Sequence, residues 1–321
     1  MTEKNSAASA RPDVLVVATL WPPMLELLRG AYTVHDRTHQ SDPAAFAAVA
    51  PRIRAIAASG ESKVTRELIA QLPALEIVSV YGVGYDGVDV AAARERGVHV
   101  THTPKVLNDD VADLAIGLML AVARRIPQAD RYVRDGRWPG GPAPLGRKVS
   151  GTRLGIVGLG RIGNAIAARA EAFGMSIAYT ARSAKAESPH RFVATAEALA
   201  AEVDFLVVIT PGGAATRKLI DAKVLAALGP EGYLINIARG SVIDETALIE
   251  ALQQRTIAGA GLDVFENEPN VPAALCALDN VVLTPHIGSG TWQTRGAMTD
   301  LAFGNLQAHF AGRALLSPVP E

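Results

Sequence analysis

The sequence predicts an α/β protein made of two doubly wound parallel-sheet domains, Rossmann or flavodoxin-like, with a cleft between them. Three observations predict it. Short β-branched runs alternate with alanine-rich helical stretches along the chain. A glycine motif with G-x-G-x-x-G spacing stands near mid-chain, between one such run and one such stretch. At 321 residues the chain is long enough for two domains, each with its own core.

The elements follow in order. The first dozen residues, MTEKNSAASARP, are small and polar and are expected to be disordered. Candidate strands come at 14–18, 32–35, 55–58, 77–80 and 99–101, with helices between them at 23–28, 43–50, 65–71 and 90–95. This unit closes near Thr103–Pro104, where Pro104 breaks the pattern. Next comes NDDVADLAIGLMLAVARRI. Asn108 or Asp109 is expected to cap a long helix, 108–125, acidic in its first turn and basic at Arg124 and Arg125, as the macrodipole favours. Such a helix can cross between two domains. A second series starts at Gly151, with a strand at 153–157, a helix at 162–173 and a strand at 176–179. Further strands follow at 205–209, 233–236, 259–262 and 281–283. The last segment, from 288 to about 314, is again helical and is expected to return to the first domain. The expected division is a substrate domain, 1–104 with 288–321, and a dinucleotide-binding domain, 105–287.

Composition narrows the function classes. A net charge of −1 gives no electrostatic footprint for nucleic acid or an anionic membrane. The single cysteine, Cys276, excludes a disulfide scaffold or a cysteine-rich metal site and reads as a small buried hydrophobe. The longest apolar stretch, 114–123, is short of the roughly 20 residues that span a bilayer. The run 14–20 reads as a strand, too short and wrongly flanked for a signal peptide. A soluble, cytoplasmic protein without a metal site is expected.

Within LGIVGLGRIG, Gly158 permits a tight turn, Gly160 lets the backbone approach a pyrophosphate, and Gly163 allows close helix–strand packing. The helix start that follows, Arg161 and Ile162, supplies donors and a positive field. At the end of the next strand such units usually place an acid that holds the adenosine ribose. Here SIAYTARSAK offers Thr180, Ala181, Arg182 and Ser183 instead. A guanidinium with a neighbouring hydroxyl suits a 2′-phosphate, so NADP(H) is expected over NAD(H); a surface arginine on a loop is the plain alternative. Three further strands run out into chemistry: LINIARGSVID into Arg239, GLDVFENEP into Asp263, Glu266 and Glu268, and VVLTPHIGSGT into His286. Ligands of open parallel sheets bind beyond the strands' carboxyl ends. There an arginine clamps a carboxylate and polarises a carbonyl, and a histidine exchanges the proton that accompanies hydride transfer. A carboxylate keeps that histidine charged. Taken singly, each also fits a helix cap, a surface ion pair or a loop histidine.

The chain resembles the D-2-hydroxyacid dehydrogenases, and within them the NADPH-dependent glyoxylate/hydroxypyruvate reductases. The likeness rests on VGYDGVDVAAARERGVHVTHTP, DDVADLAIGLML, GLGRIGNAIAARAEAFGM, NIARGSVIDETALIEAL, AGLDVFENEP and TPHIGSGT, and covers nearly the whole length. It implies Arg239, Glu268 and His286 as catalytic residues, choosing Glu268 over its solvated neighbour Glu266. It implies that the backbone of Val83 and Gly84 holds the substrate carboxylate, that Asp263 meets the nicotinamide carboxamide, and that Thr210 and Ala238 line the cofactor. The cofactor set also takes in Gly288. From the same resemblance, Trp138 in GRWPGG would reach a partner subunit's active site in a homodimer, and Arg295 would be a second substrate-side arginine. The function implied is reduction of a small 2-keto acid. A reductase of bulkier keto acids such as phenylpyruvate, and a dinucleotide-sensing corepressor-like binding protein, are the other readings; pocket width cannot be ranked from one sequence.

Overall fold

The computed structural model describes residues 11–320, and these divide into two compact units. One runs to Val106 and resumes at Trp292; the other is Leu107–Thr291. The segment expected to be disordered lies, except for Arg11 and Pro12, outside the described residues.

The first unit holds a parallel sheet of five strands: β1 (Asp13–Val16), β2 (Thr33–Asp36), β3 (Ile53–Ser59), β4 (Ile77–Tyr81) and β5 (His99–Thr101). Their order, β2-β1-β3-β4-β5, is the flavodoxin-like arrangement. Strands covered on both faces read as unbroken apolar runs rather than alternating ones. Accordingly Leu15, Ile56, Val78 and Val80 are fully buried. Local chemistry starts the helices. Asp42, Thr65 and Asp89 each accept a backbone N–H of the first turn that follows them. The C-terminal helix, Trp292–Phe310, packs on β4, where the buried Ser79 hydroxyl donates to the Ala302 carbonyl at 3.0 Å. It starts four residues beyond the expected position 288.

The second unit holds seven parallel strands: β6 (Arg153–Val157), β7 (Ser176–Thr180), β8 (Arg191–Phe192), β9 (Phe205–Val208), β10 (Tyr233–Asn236), β11 (Gly259–Leu262) and β12 (Val281–Leu283). The order β12-β11-β10-β9-β6-β7-β8 reverses direction between β6 and β9, which is the topological switch point of a doubly wound sheet. The strands end level with one another. Thr180 pairs with Val157, Val157 with Val208, Val208 with Asn236, Asn236 with Leu262, and Leu262 with Leu283. Every loop that leaves this edge therefore starts from one line.

Some expectations need correction. Cys276 is exposed, because it ends the short surface helix Ala273–Cys276, which turns only Leu275 inward. Neither Asn108 nor Asp109 caps the long helix; it begins at Asn108 behind Leu107, with no side-chain cap. The acids are used elsewhere: Asp109 and Asp113 bind Arg169 of the helix Arg161–Glu171, on which the long helix packs. That helix stops at Ala123. Arg125 adopts φ 53°, Pro127 cannot continue the hydrogen-bond ladder, and a separate helix, Ile126–Arg134, follows. Strand β8 was not foreseen, and β7 runs one residue further, through Thr180. No helix among the described residues is long and apolar enough to cross a membrane.

Candidate active site

The glycine loop occupies the switch point. Gly158 has φ 106°, and a Cβ there would lie 2.9 Å from the Ile209 carbonyl oxygen and 3.0 Å from the Thr210 Cα. A Cβ on Gly163 would lie 2.3 Å from the Gly158 carbonyl oxygen, so the helix can start this close to β6 only without a side chain. Gly160 differs: nothing lies within 4 Å of its Cβ position. Two glycines are thus required by the fold itself, while the third leaves bare backbone facing open space at the amino end of the helix Arg161–Glu171. That is the cradle a pyrophosphate needs. Ile162 is half-buried beside it and Arg161 is exposed.

The neighbouring loop leaves β7. Thr180 is buried, and its carbonyl accepts the Gly158 N–H at 2.9 Å, which ties this loop to the glycine turn. Arg182 and Ser183 are exposed. No carboxylate stands between Thr180 and Lys185.

Beyond β10 the chain is pinned by Asn236, a buried amide that sequence reasoning passed over. Its Oδ1 accepts the Ala238 N–H and its Nδ2 donates to the Arg239 carbonyl, both at 3.1 Å. Arg239 is half-buried, with Nη1 donating to the Ala238 carbonyl at 2.7 Å. Gly240 then touches the loop after β11. A Cβ on it would lie 1.9 Å from the Phe265 carbonyl carbon, so the Arg239 turn and the Phe265–Glu268 turn meet backbone to backbone. The second turn is held twice more. Phe265 N–H donates to Glu268 Oε1 at 2.8 Å, and Glu266 N–H donates to Glu245 at 3.1 Å. The side chain of Glu266 is exposed and faces Arg217 at 3.6 Å.

His286 Nδ1 lies 2.8 Å from Glu268 Oε2. The histidine takes a left-handed conformation, φ 52°, uncommon outside glycine and held only where surroundings over-determine it. Asp263 does the holding. Its carbonyl accepts the His286 N–H, while its carboxylate, only 1% exposed, accepts the N–H groups of Ile287 and Gly288 and the hydroxyl of Thr284 at 2.7–2.8 Å. Successive N–H groups wrapped round an anion form a nest. A buried carboxylate thus sets the histidine's direction. Asp263 has room for a further donor at Oδ2, since a carboxylate accepts about four hydrogen bonds.

The first unit carries the other substrate-side candidates. Val83 and Gly84 lie in the loop after β4; the Val83 carbonyl faces His102 Nδ1 at 2.9 Å, and Thr103 N–H donates to Gly82 at 2.8 Å. Arg295 sits in the first turn of the C-terminal helix, with its guanidinium 5.8 Å from the centre of the Tyr81 ring. The Tyr81 hydroxyl donates to the Arg295 carbonyl at 2.8 Å. Trp138 belongs to the second unit, in a short turn Trp138–Gly140, and is 66% exposed. It joins none of the clusters above.

Asn236, Glu245 and Thr284 support the site and were not singled out from sequence. A signal existed for Asn236 alone, a polar residue closing a buried apolar strand.

Comparison with known proteins agrees with this geometry. The profile of the D-isomer specific 2-hydroxyacid dehydrogenase, NAD binding domain, matches residues 116–288. The chain is 51% identical over 267 residues to glyoxylate/hydroxypyruvate reductase A of Arabidopsis thaliana, covering 83% of this chain and 85% of the relative. It is 53% identical over 270 residues to the hydroxyphenylpyruvate reductase of Plectranthus scutellarioides, covering 84% and 86%. Among solved structures, the NADPH-dependent glyoxylate/hydroxypyruvate reductase of Sinorhizobium meliloti, in complex with NADP and malonate, superposes with a TM-score of 0.91 at 48% identity, covering 97% of each chain. With its switch-point glycine loop, its level row of strand ends and these likenesses along nearly its whole length, the chain belongs to the D-isomer specific 2-hydroxyacid dehydrogenase family.

Proposed function

We propose that this protein reduces small 2-keto acids, glyoxylate and hydroxypyruvate, to the 2-hydroxy acids, and that it uses NADPH in preference to NADH. The observation that carries the reading is the Glu268–His286 hydrogen bond, set on loops that leave the same sheet edge as Arg239. A bound nicotinamide nucleotide supplies the hydride. Gly158, Gly160, Arg161, Ile162 and Gly163 receive its pyrophosphate, Thr210, Ala238 and Gly288 line it, and Asp263 takes the carboxamide. Arg182 and Ser183 receive the 2′-phosphate. Arg239 holds the keto acid's carboxylate and polarises its carbonyl, with the Val83 and Gly84 backbone and Arg295 as further substrate-side groups. With Nδ1 directed to Glu268, the proton that His286 hands to the carbonyl oxygen is the one on Nε2, and the glutamate stabilises the charged imidazole.

The likeness to a hydroxyphenylpyruvate reductase favours a second reading, a bulkier keto acid. Values of kcat/KM for glyoxylate, hydroxypyruvate and phenylpyruvate, each with NADPH and NADH, separate the two. Turnover of none of them leaves a dinucleotide-sensing binding protein. Arg239→Ala is expected to lower kcat/KM by roughly 10²–10³-fold, as loss of a charge-stabilising donor does.

A cytoplasmic homodimer belongs to the same proposal. The helix Ile126–Arg134 buries none of its residues, and Ile126, Val133, Trp138 and Leu145 are all exposed, Leu145 at 96%. So much exposed apolar surface within one stretch of chain suits a self-complementary interface through which Trp138 serves a second subunit.

A further inference from the structure

We propose that Tyr179 is a positioning residue for cofactor choice, its buried phenol fixing the loop that presents Arg182 and Ser183. The inference rests on the reading of Arg182 as the ligand of a 2′-phosphate.

Tyr179 is the penultimate residue of β7 and is 1% exposed. Its hydroxyl accepts the backbone N–H of Lys185 at 2.6 Å. The loop 180–185 therefore closes on the side chain of the residue that precedes it. Its start is fixed as well, through the Gly158 N–H on the Thr180 carbonyl. The ring itself is held from behind. Phe192 of β8 lies 5.6 Å away, and the Tyr179 carbonyl accepts the Val193 N–H at 2.8 Å. This gives the short strand β8 a use, as the wall against which the tyrosine is set.

Arg182 and Ser183 stand between the two anchors, exposed, with no hydrogen bond or ion pair to another described residue. A long guanidinium side chain on an untethered loop would have to order both loop and side chain when it meets a phosphate. Here the loop is ordered in advance, and only the side chain remains to be fixed. A phenylalanine would fill the same space in the core. Among the described residues the loop amide is the hydroxyl's one hydrogen-bond partner.

The test is Tyr179→Phe, which keeps the ring and deletes that acceptor. Dissociation constants for NADPH and NADH are measured by titration calorimetry on wild type, Tyr179→Phe, Arg182→Ala and the double variant, with the melting temperature of each. Tyr179→Phe is expected to weaken NADPH roughly three- to tenfold, the loss of one ordinary hydrogen bond, and to leave NADH within about twofold. The double variant should bind NADPH no more weakly than Arg182→Ala alone, because the tyrosine acts through the arginine. Equal weakening of both cofactors, or unchanged NADPH binding, overturns the proposal and leaves Tyr179 a core residue. Failure of the underlying reading looks different: Arg182→Ala itself would then leave the NADPH-to-NADH ratio unchanged. Should Tyr179→Phe fold poorly, Lys185→Pro removes the same hydrogen bond from the exposed side and is judged by the same ratio.

Discussion

Replacing Glu268 by glutamine removes one charge and almost nothing else. Glutamine keeps an Oε1 to accept the Phe265 N–H, so the turn after β11 retains its shape. Its amide, however, presents a donor to His286 Nδ1 where the carboxylate presents an acceptor, and both changes favour the neutral imidazole. The wild-type contact is 2.8 Å long, and the His286 and Glu268 side chains keep 34% and 19% of their surface. A hydrogen bond to a charged group contributes about 1.5–3 kcal/mol, and partial exposure puts this one near the lower end, roughly 1.5–2 kcal/mol. At about 1.4 kcal/mol per tenfold, that amounts to roughly a ten- to thirtyfold loss of kcat/KM near neutral pH. The sign follows from the direction of reaction. Reduction consumes the proton on a charged imidazole, so the rate falls as pH rises; without the carboxylate the fall should begin at lower pH. The assay is kcat/KM for the keto acid against pH, in wild type and Glu268→Gln. An alkaline limb that stays in place while the plateau drops would show that the glutamate shapes the loop and does not support the proton donor.

Other outcomes follow from the same structure. Gly240→Ala places a carbon 1.9 Å from the Phe265 carbonyl carbon, so backbone must move; a loss of about 2–3 kcal/mol in denaturant unfolding is expected, with a fall in kcat/KM, and a wild-type midpoint would refute the contact. Asp204 accepts Arg153 through its side chain and backbone and Arg147 from the other side, and the Arg153 hydrogen bond holds its carboxyl below the ordinary range against the opposing effect of burial. A depressed carboxyl stabilises the fold above its unfolded-state pKa and loses that contribution as pH falls through the folded one. Asp204→Asn should therefore cost about 1–2 kcal/mol at pH 7, discounted for the exposed Arg153, and the gap to wild type should close below about pH 4; a gap independent of pH would contradict this. Val133→Asp sets a charge on the exposed face of the helix Ile126–Arg134 and should convert a dimer to monomers in sedimentation, with activity falling if Trp138 serves the partner; monomeric wild type with full activity would remove that proposal.

The fold was legible wherever a strand is buried on both faces. Runs such as Ile77–Tyr81 and Phe205–Val208 have few polar interruptions, and the pattern alone places them to within one residue at each end. What escaped depended on partners distant in sequence. Strand β8 is two residues long and is defined by the pairing of Arg191 and Phe192 with Ala178 and Tyr179 of β7. Cys276 looked like core by residue type, yet a four-residue surface helix turns only one side chain inward. In the candidate site, the sequence placed Arg239, Glu268 and His286 beyond strand ends, and the structure sets Glu268 against His286. The devices that aim them were not legible. Nothing local in TPHIGSG says that an aspartate more than twenty positions earlier gathers its N–H groups and turns His286 left-handed.

The level ends of the strands also set how far apart the site's charges stand. From β7, which leads to Arg182, to β12, which leads to His286, the sheet is crossed in five steps, β7-β6-β9-β10-β11-β12. At about 4.8 Å per step the two strand ends are roughly 24 Å apart. Physiological salt screens exposed charges over about 8 Å. A charge gained or lost after β7 is thus electrostatically silent at the histidine, and the reverse holds as well. On the roles proposed for Arg182 and His286, selection could exchange one nucleotide preference for another at a single loop without retuning the proton chemistry at the fourth strand end beyond the switch point. On those roles the sheet would act as an insulator between two properties that one ligand would otherwise couple.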